Sequence, residues 1–328
     1  MTGLPRVAFG AGTLARLPEA IADCGGRRAI VVTDPGLRAA GLVDRAVGVL
    51  TAGGVETDVW DRVAPNPSVA SLEPATAAVR LFGDCVVVGL GGGSALDAAK
   101  AIALLAAHPR STGLPVVAVP TTAGTGAETN GFGVLEDPAS RCKVYVGHPS
   151  VRPRWSILDP DLTVGLPPAA TAATGMDALV HGIESLSSRG CTPLSAAYAT
   201  EAVRLVGGSL AAAVADGSDP DARARMLMGA HLAGLALSLS GLGLVHGIAH
   251  SVTAHTGAVH GLALCAVLDD VMARSLDCSV PAYARVAEVL GVDGGAGVAA
   301  GALADAVSRN HPRAFSHTEV EEVVAGRW

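Results

Sequence analysis

Four histidines, His246, His250, His255 and His260, fall within GLGLVHGIAHSVTAHTGAVHG, a stretch that is otherwise apolar or small. A second group, MDALVHG, sets Asp177 and His181 four residues apart, on one face of a helix. Several unpaired imidazoles in an apolar neighbourhood are costly. A divalent cation offsets that cost, and one carboxylate with three imidazoles is a donor set suited to Fe2+ or Zn2+. Asp177 and His181 form one helical pair, and His246 and His250 share that spacing on another helix. His260 follows a break, near the start of the next helix. Spacing alone leaves open which two of the four later histidines complete the set. The remainder fall to outer positions, proton relay or the surface.

A different chemistry is encoded upstream. GLGGGSALDAAK places Gly91, Gly92, Gly93 and Ser94 between a strand and a helix. Glycines let the backbone approach an anion, and the helix start offers free N–H groups and the positive end of a dipole. The pattern is not GxGxxG, so by itself it also reads as a tight strand-to-helix turn. The next strand ends in PTTAGTGAE, which supplies the hydroxyls of Thr121, Thr122 and Thr125. Ligands of open α/β sheets bind at the carboxyl ends of strands, so two such ends in a row point to a nucleotide. Asp34, in VTDPG, is placed to accept from a ribose hydroxyl; its alternative is a turn residue before Pro35.

The elements that must position these groups fall into two kinds. RRAIVVTD, ETDVWDRV, DCVVVGLGGGS and LPVVAVPTT read as strands, alternating with helical patterns in 37–54, 68–83 and 95–107. Alternation of this kind implies a parallel sheet covered on both faces. From about Pro167 every segment carries helical spacing and strand signals cease. The expected organisation is an α/β dinucleotide-binding domain over 1–165 and an all-α metal-binding domain over 166–328.

Composition bounds the remainder. The chain has 328 residues, 50% of them hydrophobic, which is enough for a large core. Its net charge is -7 with no basic run, which argues against nucleic acid as a partner. The apolar stretches are interrupted before membrane length, and MTGLPRVAFGAGTL has no signal-peptide pattern, so no membrane partner and a cytoplasmic location are expected. Six scattered cysteines without CxxC spacing read as reduced, partly buried thiols.

With these motifs in order, from FGAGTLARL, VVTDPGL and PNPS through VVGLGGGSALDAAKAIAL, VPTTAGTGAE and ILDPDLTVGLPP to TGMDALVHGIES and GLVHGIAHSVTAHTGAVHGLA, the chain resembles the iron-containing (group III, metal-dependent) alcohol dehydrogenase family. The resemblance implies a dehydroquinate synthase-like architecture with the metal in the cleft between an α/β and a helical domain. It implies Asp177, His181, His246 and His260 as metal ligands, Fe2+ with Zn2+ as the alternative, and leaves His255 outside. His250 is implied as an additional active-site residue, to which a proton-relay role is assigned because imidazole titrates in the right range. Gly91, Gly92, Gly93 and Ser94 match the pyrophosphate loop, and Asp97 the nicotinamide-side aspartate. Thr121, Thr122, Thr125 and Lys143 match further cofactor contacts, and Asp34 the acidic residue that favours NAD over NADP.

The implied activity is that of an NAD(P)-linked alcohol dehydrogenase or aldehyde reductase, with hydride passing between nicotinamide C4 and a metal-bound small-molecule alcohol or carbonyl. A homodimer is expected. The alternatives are a reductase for an acidic oxo substrate, of maleylacetate or phosphonoacetaldehyde type, and a dehydroquinate synthase-like lyase. Against the family pattern the chain is abrupt near 107–114 and 298–312, while the motifs on either side are intact. That predicts chain passed over by the numbering, with a Cα–Cα separation well beyond the usual ~3.8 Å in each window.

Overall fold

Val86–Gly91 is buried along its whole length. A strand of this kind needs apolar cover on both sides. Its side chains alternate: Val86, Val88 and Leu90 join a core with Ile21, Val43 and Leu50, while Val87 faces Val79, Ala98 and Ile102 on the other side. The computed structural model describes residues 4–107 and 113–291. The window 298–312, and most of 107–114, lie outside the described residues.

Six strands, β1 (Arg6–Phe9), β2 (Arg28–Val32), β3 (Glu56–Trp60), β4 (Val86–Gly91), β5 (Val116–Pro120) and β8 (Trp155–Leu158), form one sheet in the order β1-β8-β5-β4-β2-β3. All five pairings are parallel. One face carries α1 (Leu17–Asp23) and α3 (Leu42–Ala52), which follows the short α2 (Pro35–Ala39). The other face carries α4 (Glu73–Phe82) and α5 (Gly93–Leu105). The chain leaves β2 toward β3 on one side and leaves β4 toward β5 on the other. The crevice between the carboxyl ends of β2 and β4 is therefore the switch point of the sheet, where ligands of such folds bind. Asp34 follows β2 and the glycine loop follows β4, so both face that crevice.

β6 (Phe132–Asp137) and β7 (Cys142–Gly147) form a separate antiparallel hairpin. Neither this hairpin nor the four-residue strands β1 and β8 carried a strong strand signal in the sequence. The helical pattern over 37–54 is in fact two helices, because Gly41 at φ +76° breaks it. All regular elements described from residue 168 onward are helices: α6 (Pro168–Ser187), α7 (Pro193–Gly207), α8 (Leu210–Ala215), α9 (Pro220–Ser240), α10 (Leu244–Thr256), α11 (His260–Arg274) and α12 (Leu276–Leu290). No single described helix is long and apolar enough to cross a membrane; α9 and α10, bent by 105°, satisfy that test only as a pair. All six cysteines are free, with Cys24 and Cys85 buried and their thiols pushed up to about 11 by burial.

The loop after β5 is seated directly on α9. Gly126, at φ +61°, and Gly234 meet backbone to backbone, and a Cβ on Gly234 would stand 2.7 Å from Gly126 Cα. Alanine is the better helix former by about 1 kcal/mol. Overpacking of a closed contact costs about 1–3 kcal/mol. Gly234→Ala is therefore expected to lower stability in denaturant titration despite the gain in propensity. A raised midpoint would show that loop and helix separate freely.

Candidate metal and cofactor site

Asp177 and His181 lie one turn apart on α6, and both are buried. His246 and His250 project from α10, and His260 opens α11. From Asp177 Oδ1 the Nε2 atoms of His246, His181 and His260 lie 3.2, 3.5 and 3.8 Å away. Donor atoms of Asp177, His181 and His246 all lie within 4.8 Å of one another. His260, with a side chain 28% exposed, is the loosest member. Ligands 2.0–2.3 Å from an ion in tetrahedral geometry stand about 3.3–3.8 Å apart, so the spacing fits a divalent cation. The rings of His181 and His246 stack at 4.4 Å, and those of His250 and His260 at 5.1 Å. His255 is exposed and bonds to its own helix at Ser251 O, away from this group.

The electrostatics follow from burial against charge. Burial disfavours the Asp177 carboxylate, but the imidazoles around it outweigh that and hold its pKa below the usual range. Burial likewise opposes the charged form of His246. Hydrogen bonds to Asp177 and Glu184 overcome it and raise His246 to about 9. His181 is lowered to about 4, chiefly by burial. His250 is lowered to about 3 by burial and by His260 and His246. Burial and the neighbouring imidazoles thus disfavour the charged form of this ring.

On the cofactor side, Gly91 has φ +149°, and a Cβ there would stand 2.6 Å from Ala95 Cβ. Gly92 caps α5 without a side-chain hydrogen bond, leaving the first amides of that helix free for an anion. A Cβ on Gly93 would stand 2.6 Å from Thr125 Cγ2, and one on Gly92 3.2 Å from Thr122 Cγ2, so the two strand-end loops pack on each other. Ser94 Oγ accepts from Asn66 N (3.1 Å). Lys143 Nζ lies 3.0 Å from Asn66 Oδ1 and 2.9 Å from Glu136 Oε1. Gly93, Ser94, Asp97, Thr125 and Lys143 line the same cleft as Asp177 and His181, His246, His250 and His260. Gly91, Gly92, Thr121, Thr122 and Asp34 are not among its lining residues. Asp34 caps α2 by accepting from Leu37 N at 3.1 Å, as a turn residue would, and its other carboxylate oxygen lies beside Gly91.

Sequence reasoning missed several buried polar residues. Glu184, three residues after His181, reaches His246 Nδ1 at 2.6 Å. Its position seven residues after Asp177 put it on the same helical face, which was the available signal. Lys100, 1% exposed, lies three residues after Asp97 and contacts its Oδ1 at 2.9 Å. Its Nζ also donates to Ala127 O (2.7 Å) and Asn130 Oδ1 (3.0 Å), tying α5 to the threonine loop. Asp97 Oδ2 accepts from Val134 N at 3.0 Å. Glu128 and His231 form another buried pair at 2.9 Å.

Comparison with known proteins agrees with this arrangement. The iron-containing alcohol dehydrogenase model matches residues 5–160, and the model of that family's C-terminal part matches 171–309. The chain belongs to the iron-containing alcohol dehydrogenase family. It is an oxidoreductase acting on CH–OH groups, a metal-dependent alcohol dehydrogenase or aldehyde reductase. Alcohol dehydrogenase 4 of Saccharomyces cerevisiae is 36% identical over 282 residues, 82% of this chain and 74% of that one. Lactaldehyde reductase of Escherichia coli is 34% identical over 298 residues, 87% and 78% of the two chains. The structure of sulfoacetaldehyde reductase from Bifidobacterium kashiwanohense in complex with NAD+ superposes with a TM-score of 0.83 at 27% identity, covering 98% and 90%.

In this iron-containing alcohol dehydrogenase Lys100, paired with Asp97 on α5, is a buried link between that helix and the threonine loop. Lys100→Met leaves the Asp97 carboxylate short of its cation. Removing one partner of a buried pair costs about 3–5 kcal/mol. A loss of that order in equilibrium unfolding is expected, together with weaker nucleotide binding; unchanged stability would mean that solvent reaches Asp97.

Proposed function

We propose that Asp177, His181, His246 and His260 hold a ferrous ion, with Zn2+ the alternative, and that the cofactor is NAD. The observation that carries this reading is the gathering of three imidazole nitrogens 3.2–3.8 Å from one carboxylate oxygen, in the cleft that the glycine loop enters. When bound, the ion supplies Lewis-acid polarisation of an alcohol or carbonyl oxygen, and the nicotinamide supplies hydride chemistry. The chain's own groups do the rest. The free amides at the start of α5 hold the pyrophosphate. Ser94 and Thr125 bound the dinucleotide, and Asp97 lies toward the nicotinamide. Asp34 accepts from the adenine ribose and repels a 2′-phosphate, which favours NAD. His250, at the cleft wall beside His246 and His260, is assigned a hydrogen bond to the substrate oxygen.

The lining also bears on the substrate. A reductase for an oxo acid needs a cation for the carboxylate. Among the described lining residues Lys143 is the one lysine or arginine, and its Nζ already serves Glu136 and Asn66. Phe132, Val134, Leu237, Leu242 and Val259 add apolar wall. A neutral alcohol or aldehyde with an apolar tail fits better than an acidic substrate.

Two outcomes are expected. His246→Ala loses bound metal and activity together, read by elemental analysis and steady-state rates with a panel of neutral aldehydes and oxo acids; full activity in that variant would exclude its role. Asp34→Gly raises the relative use of NADPH over NADH. A wild-type enzyme that prefers NADPH would show the ribose pocket to be arranged otherwise.

A further inference from the structure

Of the three imidazoles around Asp177 Oδ1, His246 alone has its second ring nitrogen engaged among the described residues. Its Nδ1 lies 2.6 Å from Glu184 Oε2, whereas Nδ1 of His181 and of His260 is buried without a hydrogen-bond partner. The same Glu184 carboxylate accepts from the backbone N–H of Val245 at 2.7 Å and of His246 at 3.4 Å. These are amides of the first turn of α10, which has no side-chain cap at Gly243. One buried carboxylate from α6 thus closes the start of α10 and grips the ring of the residue that α10 presents to the site.

We infer that Glu184 is a positioning residue for the metal centre. It fixes His246 with Nδ1 as the proton-bearing nitrogen and Nε2 as the donor facing Asp177, and it ties the aim of that ring to the entry of α10. Carboxylates in this position orient a ligating imidazole and raise its basicity. The inference rests on the metal reading above.

Gly243 supplies an independent test. A Cβ there would stand 2.6 Å from Glu184 Oε1, and its other near neighbours, at 3.2 and 3.6 Å, are also Glu184 atoms. The backbone at Gly243 is extended, at φ -115° and ψ -158°, so alanine is opposed only by that side chain. Gly243→Ala displaces the carboxylate without removing it.

The experiment measures Co2+ affinity of metal-stripped protein by competition with a chelator, alongside the thermal midpoint of the stripped form. Variants are Glu184→Ala, Glu184→Gln and Gly243→Ala, with Leu50→Ala in the sheet core as a destabilised control. Glu184→Ala and Gly243→Ala are expected to raise the Kd by about 10–100-fold. Glu184→Gln loses less, because its carbonyl oxygen still accepts from Nδ1. Leu50→Ala lowers the midpoint and leaves the Kd unchanged. Wild-type affinity in Gly243→Ala and Glu184→Gln would overturn the inference even if Glu184→Ala fails to fold. So would an affinity loss that merely tracks the midpoint across all four variants. A wild-type chain that takes up no Co2+ would sink the metal reading itself, a result distinct from failure of the Glu184 inference alone.

Discussion

Asp177 is 4% exposed and, among the described residues, has histidines and no lysine or arginine beside its carboxylate. An ionised carboxylate taken out of water costs several kcal/mol unless it is compensated. The compensation comes from histidines on α6, α10 and α11, and this requirement governs how the three helices meet. Gly261 has no room for a side chain against Ala173 of α6, so the start of α11 lies directly on that helix and carries His260 inward. Glu184 brings the start of α10 to the same place. Two contacts with α6, one a close packing at Gly261 and one through the Glu184 carboxylate, thereby set the entry points of the two helices.

The cofactor side depends on the sheet instead. Strand order places the carboxyl ends of β2 and β4 at the switch point, and the loops that leave β4 and β5 pack glycine against threonine. Lys100 reaches from α5 to Asp97, Ala127 and Asn130, so the glycine loop and the threonine loop are held as one unit. The backbone contact of Gly126 with Gly234 then seats that unit on α9. Gly124 of the same loop packs on Thr174 of α6, the helix of Asp177 and His181, so buried contacts run from the glycine loop to the metal-ligand side of the cleft.

Much of this was legible in the residue order. Apolar β-branched runs gave the buried strands β2, β4 and β5, since strands buried on both faces need near-continuous hydrophobic runs, and the more polar ETDVW gave the edge strand β3. The four-residue spacing of a helical face put Asp177 with His181, and His246 with His250, on common faces. The composition of PTTAGTGAE and GLGGGS marked the two loops that meet in the cleft. Short strands such as Arg6–Phe9 and Trp155–Leu158 were invisible, because four residues carry too little pattern and the two pair with each other across more than a hundred residues of chain.

The sequence by itself determined the kinds of elements, the helical spacing of the donor residues and the glycines of the loop after β4, because all of these are local consequences of side-chain type and backbone freedom. Spacing alone left four histidines open; the tertiary structure brought His260 to Asp177 and turned His255 to solvent, as the family resemblance implied, and set His250 where burial disfavours its charged form. It also decided that Glu184 and Lys100 are partners of His246 and Asp97. Those outcomes depend on distances between elements far apart in the chain, and on the loss of water around them, which strengthens each charge interaction and makes each unpaired polar group expensive.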